Sequence, residues 1–363
     1  MNIGILFGTR PEIIKLAPVY KELQNRAIPT TVIHTGQHEE LASSMLDLFQ
    51  IKVDYNLKSM HHAPGLAALT EYLLHHLSKL LRTIKLDALI VQGDTTSAYV
   101  GALAAFYLKI PVYHVEAGLR SFDLHNPFPE ELNRKQISAI ATHHFAPTTQ
   151  AIHNLVNEGI SEDTITLTGN TVVDALKTIR TLPNYQNSTP SLLSSISQDD
   201  KLVLLTLHRR ENIGKPFIQV LKAIHQLLEV EPNIIVLFPA HPNPKLQESI
   251  EAFSVNNERF KILSPLGYVE FQHLLDRCDL ILTDSGGLQE EAAALGKKVL
   301  VLRTKTERLE LLDSNFTELL GTDPKKIVEA TQRVLSNASN QMPLSVYGDG
   351  NAAKKIVDHL LTR

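Results

Sequence analysis

Short runs of Val, Ile and Leu recur along this chain of 363 residues, and each is apolar throughout rather than alternating with polar residues. Such runs are typical of strands buried on both faces of a parallel sheet. They are "IGILFG", "TTVIHTG", "DALIVQGD", "PVYHVEAG", "KLVLLTLH", "NIIVLFPAH", "RFKILSP", "DLILTDSGG" and "KKVLVLR". Helical patterns such as "LAALTEYLLHHLSKLLRTI" lie between them. This alternation predicts right-handed crossovers and a doubly wound α/β fold.

The alternation is interrupted once, over residues 182–200, where the chain becomes polar and rich in Ser, Asn and Pro, as linkers and surface loops are. A chain of this length also exceeds what one core usually supports. We therefore predict two Rossmann-like doubly wound domains that face a cleft. The expected bounds are 1–170 for an N-terminal domain, 171–345 for a C-terminal domain, and 346–363 for a helix that packs back on the first.

Composition excludes several classes of protein. With 43% hydrophobic and 20% charged residues the chain is typical of a globular protein, and its net charge of -4 does not favour nucleic acid as a partner. No apolar run approaches the roughly 18 residues of a membrane span, and no signal-peptide pattern is present. The one cysteine, Cys278, excludes an internal disulfide, and its apolar setting predicts a buried thiol. We expect a cytoplasmic protein without membrane contact.

Two cationic clusters follow the first predicted strand of each domain. "GTRPEIIK" offers Arg10 and Lys15, and "LTLHRRENIG" offers His208, Arg209 and Arg210. Arg supplies forked donors for a diphosphate, and His can protonate a departing oxygen. A solvated basic turn is the alternative for either cluster alone. Their equivalent places in the two domains favour a shared function, because ligands of open parallel sheets bind beyond the carboxyl ends of the strands.

The segment "DSGGLQEEA" follows a strand and opens a helix. Gly286 and Gly287 let backbone amides approach a ligand closely, and the helix N-terminus favours a phosphate. Glu290 and Glu291 would repel that phosphate if they were adjacent to it, but a carboxylate one turn further on can accept hydrogen bonds from ribose hydroxyls. The alternative is an ordinary helix start, with Ser285 as the N-cap beside a glycine turn.

The carboxylates concentrate in the N-terminal domain. "VQGDTTSA" offers Asp94, "HVEAGLRS" offers Glu116, and "NPFPEELNR" offers Glu130 and Glu131. Each alone could be an N-cap or a surface charge. Converging on the cleft they would form an acid/base apparatus, with their pKa values driven apart by burial and repulsion.

Metal and cofactor sites are not predicted. For His241 in "FPAHPNP", a structural role and a ligand contact are equally good interpretations. A P-loop, a GxSxG elbow and a dinucleotide glycine fingerprint are all missing from the sequence. Three histidine pairs lack metal-ligand spacing and partner carboxylates. The pairs are His61 with His62, His75 with His76, and His143 with His144.

Taken together, the motifs resemble the bacterial non-hydrolysing UDP-N-acetylglucosamine 2-epimerase family over essentially the whole chain. They are "GTRPEIIK", "TGQH", "GDTTSA", "HVEAGLRS", "PFPEELNR", "GNTVVDAL", "LHRREN", "AHPNP", "DSGGLQEEA" and "TER", in the family's order and spacing. The resemblance implies a glycosyltransferase B-type fold, a homodimer and no cofactor or metal. It also implies 2-epimerisation of UDP-GlcNAc to UDP-ManNAc through a 2-acetamidoglucal intermediate, supplying cell-surface polysaccharide precursors.

Site residues carry over motif by motif. The resemblance implies catalytic roles for Asp94, Glu116, Glu130, His208 and Lys15. It implies UDP or substrate binding by Arg10, Lys15, His208, Arg209, Phe271, Ser285, Gly286, Gly287, Glu291 and Arg308. Which carboxylate takes the C2 proton stays open.

Two departures from the family pattern stand out. Leu309 replaces the proline that usually follows "TER", and Asn315 lies near a usual glycine; Asn tolerates the left-handed backbone best after Gly. Ser44, His62 and Ala63 stand where members activated by UDP-GlcNAc carry Gln and Arg. We therefore expect allosteric regulation to be altered or lost.

Two alternatives remain at this point. One is an epimerase, or a hydrolysing variant, that acts on a modified UDP-sugar such as a 2,3-diacetamido uronic acid. The other is a nucleotide-sugar-binding regulator without turnover, against which the retained acid/base set argues.

Overall fold

The computed structural model describes most of the chain in two compact units. Unit 1 comprises Met1–Thr178 with Val346–Arg363, and unit 2 comprises Ile179–Ser345. The first division therefore falls at 178 rather than at the expected 170. The described residues are 1–37, 39–61, 65–187, 190–197, 199–209, 212–240, 246, 248, 250, 257–312, 314, 316–337 and 343–362.

Unit 1 contains a sheet of seven parallel strands in the order β3-β2-β1-β4-β5-β6-β7. The strands are β1 Ile3–Phe7, β2 Thr30–His34, β3 Tyr55–Asn56, β4 Ala88–Gln92, β5 Val112–Val115, β6 His143–Ala146 and β7 Ile165–Leu167. This order begins in the middle of the sheet and reverses between β1 and β4, as in dinucleotide-binding domains.

The helices of unit 1 connect these strands. They are α1 Arg10–Asn25, α2 Glu39–Leu48, α3 Leu66–Thr83, α4 Thr96–Tyr107, α5 Glu130–Ile140, α6 Thr149–Asn157 and α7 Thr171–Arg180, with the C-terminal helix α15 Ala352–Leu361. Asp174 of α7 caps α15, because its carboxylate accepts hydrogen bonds from Ala352 N at 3.3 Å and Ala353 N at 3.0 Å. The last helix also packs against α1.

Unit 2 repeats the same topology with six parallel strands in the order β10-β9-β8-β11-β12-β13. The strands are β8 Lys201–Thr206, β9 Ile234–Pro239, β10 Phe260–Leu263, β11 Leu280–Thr283, β12 Lys298–Val301 and β13 Thr317–Leu319. The helices are α8 Pro183–Gln186, α9 Ser191–Ser194, α10 Lys215–Val230, α11 Tyr268–Arg277, α12 Gly286–Ala294, α13 Leu309–Leu312 and α14 Pro324–Ser336. The predicted doubly wound α/β class is confirmed in both units.

The continuous apolar runs form strands that are buried on both faces. In β8, Val203 and Leu205 pack in one hydrophobic cluster of unit 2, and Leu202 and Leu204 pack in another. Successive side chains of a strand point to opposite faces, so a strand covered on both sides needs apolar residues throughout.

Two further predictions concern burial. Cys278 is buried as expected, and burial raises the pKa of its thiol to about 12. The polar stretch 182–200 contains two single-turn helices, and its Ile196 is buried in the core of unit 2. In the described part of the chain, no helix has the length and apolarity to cross a bilayer.

Candidate active site

The carboxyl ends of β1, β4 and β5 carry the candidate residues of unit 1. These strands are neighbours in the sheet, so the segments that follow them lie at one edge. Arg10 and Lys15 belong to α1 after β1, Asp94 follows β4, and Glu116 directly follows β5. The reversal of strand order between β1 and β4 makes this edge the usual ligand position of such a sheet.

Glu116 is a buried carboxylate with several donors around it. Its Oε2 pairs with Lys15 Nζ and accepts hydrogen bonds from Gln92 Nε2 at 2.9 Å and Asn170 Nδ2 at 3.4 Å. Both partners of the ion pair are nearly fully buried. The backbone of Glu116 has φ +65°, an uncommon conformation for a residue with a side chain. Such strain clusters at functional sites, where the surrounding structure maintains it.

Asp94 is held by residues of α5. Its Oδ2 pairs with Arg134 Nη2 at 2.6 Å, and its backbone carbonyl accepts a hydrogen bond from Asn133 Nδ2 at 2.9 Å. The same guanidinium lies 3.6 Å from Glu131, measured from Nε to Oε2. Glu130 is the first residue of α5 and is partly buried. Helix α5 thus contributes the predicted Glu130 and also the residues that fix Asp94.

A buried histidine supports the turn that carries Asp94. His114 Nε2 lies 2.8 Å from the carbonyl oxygen of Gly93. Burial lowers the pKa of His114 to about 3, so its imidazole is neutral and donates this hydrogen bond. Gly93 adopts φ +68°, which glycine reaches without strain. His114 therefore acts on the structure of the turn.

Glu12 of the "GTRPE" motif points into the unit rather than to solvent. Its Oε2 accepts hydrogen bonds from Gly8 N at 3.0 Å and from Thr9 N and Thr9 Oγ1, both at 2.8 Å. Its Oε1 accepts from Thr95 Oγ1 at 2.8 Å. Burial raises the pKa of the Glu12 carboxyl to about 7, while these hydrogen bonds act in the opposite direction. Glu12 is not among the predicted site residues, although Thr-x-x-Glu before an apolar run is a capping-box signal.

In unit 2, the buried carboxylate of Asp284 holds the loop that follows β8. Asp284 follows β11, and its Oδ2 accepts hydrogen bonds from Arg209 N and Asn212 Nδ2, both at 2.9 Å. Its Oδ1 lies 3.0 Å from His208 Nδ1. Burial opposes ionisation of Asp284, but the hydrogen bond and the charge of His208 favour it, and the pKa of the carboxyl lies below its usual range. The His208 side chain is 38% exposed, so it reaches solvent while Asp284 holds it.

The N-terminus of α12 matches the predicted glycine turn. Ser285 is the N-cap, and its Oγ accepts a hydrogen bond from Leu288 N at 3.4 Å. A Cβ on Gly286 would come within 2.5 Å of Arg308 Nη1, so only glycine allows this guanidinium to lie against the helix start. A Cβ on Gly287 would meet nothing within 4 Å, so the helix is open on that side.

Arg308 belongs to a buried network of charges. Its Nη2 lies 2.5 Å from Glu290 Oε1, and its Nη1 pairs with Glu307. Glu307 also pairs with Arg303 at 3.1 Å, between Oε2 and Nη1. Among the residues that the structure describes, two cations and two carboxylates pair with one another beneath the start of α12. The predicted UDP-binding Arg308 is thus engaged by carboxylates of its own unit.

The remaining predicted residues of unit 2 lie on its helices. Phe271 of α11 packs partly buried against the core. Glu291 of α12 accepts a hydrogen bond from Gln272 Nε2 at 2.5 Å.

Several supporting residues escaped the sequence analysis. Five of them hold a predicted site residue or its loop in place, namely Gln92, Asn170, Arg134, Glu12 and Asp284. For most of them, the only indication in the sequence is that they lie within or beside a motif. Arg210, His241, Asn315, His62 and Ala63 lie outside the described residues. The residues that the structure describes contain no group of three or more His, Cys, Asp or Glu side chains arranged to hold a metal ion.

Comparison with known proteins shows a consistent family. The profile of a family described as "UDP-N-acetylglucosamine 2-epimerase" matches residues 21–361. A UDP-N-acetylglucosamine 2-epimerase from Bacillus subtilis is 41% identical over 366 residues, which cover 99% of this chain and 95% of the relative. One from Yersinia pestis is 41% identical over 372 residues, covering 99% and 98%.

Solved structures agree with the sequence relatives. The crystal structure of UDP-GlcNAc 2-epimerase from Neisseria meningitidis, bound to UDP-GlcNAc, matches with a TM-score of 0.96, 38% identity and 100% coverage of both chains. That of the Methanocaldococcus jannaschii enzyme, in complex with UDP-GlcNAc and UDP, matches with a TM-score of 0.88, 36% identity and 100% coverage of both. These similarities confirm the predicted glycosyltransferase B-type class.

Proposed function

The chain belongs to the UDP-N-acetylglucosamine 2-epimerase family, and from this premise we propose that it interconverts UDP-GlcNAc and UDP-ManNAc by inverting C2 of the sugar. The observation that carries the proposal is the arrangement around Glu116. A strained, buried carboxylate with three donors on one oxygen stands at the ligand edge of unit 1, one strand away from Asp94.

The reaction we propose is an elimination followed by a re-addition. A carboxylate takes the C2 proton while the bond from C1 to the UDP oxygen breaks, so its electron pair leaves with UDP and C1 and C2 become doubly bonded. A proton then returns to C2 on the opposite face, and the UDP oxygen re-forms its bond to C1. Reactants and products are isomers, so the sequence needs no oxidant or reductant.

In unit 1 we assign the sugar chemistry to Asp94, Glu116 and Glu130, supported by Lys15. General acid/base catalysis requires carboxylates within reach of the proton, and carboxylates also stabilise the cationic character that develops at C1. Lys15 neutralises Glu116 and fixes its orientation through their buried ion pair.

In unit 2 we assign the uridine diphosphate to residues around the β8 and β11 ends. Departure of UDP builds negative charge on the diphosphate, which cations and helix N–H donors stabilise. His208 is held by Asp284, and the α12 start offers backbone donors beside Gly287. The proposed binding residues of unit 2 are Arg209, Phe271, Ser285, Gly286, Gly287, Glu291 and Arg308, and we also propose Arg10 of unit 1 as a binding residue.

Proton NMR of the protein with UDP-GlcNAc in deuterated water tests this function. We expect UDP-ManNAc to appear with deuterium at C2 of both epimers. Release of free N-acetylmannosamine would indicate a hydrolysing enzyme instead. No change in the spectrum would contradict the proposed substrate and favour another UDP-sugar or a protein without turnover.

The proposal includes a homodimer in the cytoplasm. The dimer comes from the family resemblance, and a single buried cysteine suits a reducing compartment. Light scattering on the purified chain tests the homodimer, and a monomer at micromolar concentration would contradict it. Fractionation of cells that produce the protein tests the cytoplasmic location.

A further inference from the structure

The loop after β1 and the turn after β4 meet at one buried side chain. Glu12 is 1% exposed, and its two carboxylate oxygens accept hydrogen bonds from Gly8, Thr9 and Thr95. The loop continues into Arg10, and the turn contains Asp94. One carboxylate therefore connects two segments that both carry proposed site residues.

We propose that Glu12 is a positioning residue for the epimerisation, holding the segments of Arg10 and Asp94 in fixed relative position. This inference rests on the proposed function, because it concerns the geometry that the reaction needs. Glu12 itself is directed away from solvent and touches the reacting groups only through its partners.

All four hydrogen bonds to Glu12 have the side chain as acceptor. Two come from backbone N–H groups, which can only donate, and two come from threonine hydroxyls. An ionised carboxylate accepts every one of them, whereas an amide of the same shape presents two N–H donors in place of one oxygen. Space is also tight, since a Cβ on the neighbouring Gly8 would lie 2.2 Å from Ser97 Oγ and from Thr35 Oγ1. The site therefore selects a carboxylate.

Thr95 transmits the position of Glu12 to the catalytic turn. Its Oγ1 donates to Glu12 and accepts a hydrogen bond from Ala98 N at 3.0 Å, which caps α4. Asp94 precedes Thr95 directly and is fixed on its other side by Arg134. Loss of the Glu12 bond would leave the turn held by His114 and α5 but no longer joined to the loop after β1.

Protonation of Glu12 would change this arrangement. A neutral carboxyl must donate its proton, and of its partners only the hydroxyls of Thr9 and Thr95 can accept one. One of the threonine bonds would then reverse. The other titratable or charged groups on α1 are Arg10, Lys15, Tyr20, Lys21 and Glu22, and His34, Asp94 and Glu116 lie at or just beyond strand ends of the same sheet. Of the helices packed against α1, α2 carries Asp47 and α15 carries Lys354, Lys355, Asp358 and His359. Burial is nevertheless the largest influence on Glu12 and brings its pKa to about 7.

The test compares Glu12→Gln with the matched control Asp174→Asn. Asp174 is also a buried carboxylate of unit 1 that accepts two backbone N–H bonds, but it caps the C-terminal helix. We expect Glu12→Gln to lower kcat about 10- to 100-fold with KM for UDP-GlcNAc nearly unchanged, since small displacements of reacting groups cost about this much. We expect kcat of the wild type to fall below about pH 7, where Glu12 takes up a proton, and we expect a smaller fall in Glu12→Gln. Asp174→Asn should keep the wild-type profile.

Two further measurements keep the inference testable on its own. Hydrogen exchange of the peptide containing Gly8 and Thr9 should be faster in Glu12→Gln than in wild type, whether or not UDP-GlcNAc is turned over. If Glu12→Gln does not fold, Thr95→Val removes the bond to Glu12 together with the N-cap bond of α4 while keeping the side-chain shape, and should lower kcat severalfold. Thr148→Ala, which removes only the N-cap of α6, should leave kcat unchanged. An unchanged kcat and pH profile in Glu12→Gln and Thr95→Val, or unchanged exchange, overturns the inference. A wild-type protein without turnover contradicts the proposed function alone.

Discussion

The two units solve the same structural problem with different chemistry. In each unit, a buried carboxylate anchors the loop after the strand that comes first in the sequence. Glu12 anchors the loop after β1, and Asp284, which follows β11, anchors the loop after β8. Glu12 is bonded by neutral amides and hydroxyls, and its pKa is raised to about 7 by burial. Asp284 is also bonded by His208, and its pKa is lowered.

The difference indicates which condition disturbs each loop. The anchor of unit 1 changes its protonation near neutral pH, whereas that of unit 2 stays ionised well into the acid range. Unit 2 also contains a second buried network near the same edge, formed by the paired charges of Arg308, Glu290, Glu307 and Arg303. Removal of one charge from this network should therefore lower the unfolding free energy of unit 2.

The largest effect should come from the carboxylate that faces the chemistry in unit 1. Glu116→Gln should lower kcat by a factor of about 10² to 10⁴, the usual contribution of a general acid or base, while UDP binding by unit 2 is retained. Steady-state kinetics measures kcat, and calorimetry measures the affinity for UDP. Glu22→Gln is the control, because Glu22 pairs with Arg26 at the surface of α1. Equal activity of Glu116→Gln and wild type would remove unit 1 from the chemistry.

The next effect concerns the buried charges of unit 2. Arg308→Met removes the cation that pairs with Glu290 in the core, and removal of one partner from a buried pair costs about 3–5 kcal/mol of unfolding free energy. Thermal denaturation measures the loss. The exposed pair of Arg333 with Glu318 supplies the control, and Arg333→Met should cost less than about 1 kcal/mol. Adding Glu290→Gln to Arg308→Met should recover part of the loss; no recovery would show that the pairing is not the cause.

The pH dependence of stability distinguishes the two anchors. The pKa of Glu12 is raised from 4.5 in the unfolded chain to about 7, so the folded state binds more protons between these values. The unfolding free energy should fall by up to about 3 kcal/mol through Glu12 as pH rises from 4.5 to 7, and then level off. Glu12→Gln should lose this decline.

Asp284 should behave in the opposite way. Its pKa is lowered, so its contribution to stability is present above its unfolded value of 3.8 and is lost as pH falls through the folded value. Urea unfolding followed by circular dichroism at several pH values compares Glu12→Gln, Asp284→Asn and wild type. The same pH slope for both variants would refute the contrast between the anchors.

The smallest effect comes from helix caps. Ser285→Ala should cost about 0.5–1 kcal/mol, because its bond to Leu288 N is long, and should weaken UDP binding a few fold. Thr148→Ala removes the N-cap of α6 in unit 1, where Oγ1 accepts from Ala151 N at 3.1 Å. It should cost a similar amount of stability with UDP affinity unchanged. An equal loss of affinity in both would separate the α12 start from nucleotide binding.

The sequence predicted most of the strands but missed β3, β6, β7 and β13. Central strands such as β8 are apolar on both faces and are recognisable from composition. β3 has two residues and β6 reads "HHFA", so neither carries an apolar run, and both depend on pairing with neighbouring strands. Short strands without an apolar run therefore become visible only in the folded sheet.

For the site, motifs predicted the groups that face a ligand better than those behind them. Asp94 and Glu116 stand at strand ends, where polar side chains need an explanation. Gln92 and Asn170 reach Glu116 from distant parts of the chain, and Arg134 reaches Asp94 from the next helix but one. Contacts of this kind depend on tertiary packing, for which one sequence carries no local pattern.

The most direct test of the account follows the bond between C1 and UDP. UDP-GlcNAc carrying ¹⁸O in the bridge between C1 and the β-phosphorus is incubated with the protein, and the recovered nucleotide sugars are analysed by phosphorus NMR. Elimination and re-addition predict that ¹⁸O moves into non-bridging phosphate positions as UDP-ManNAc forms. UDP-ManNAc that forms with ¹⁸O entirely in the bridge would contradict the mechanism.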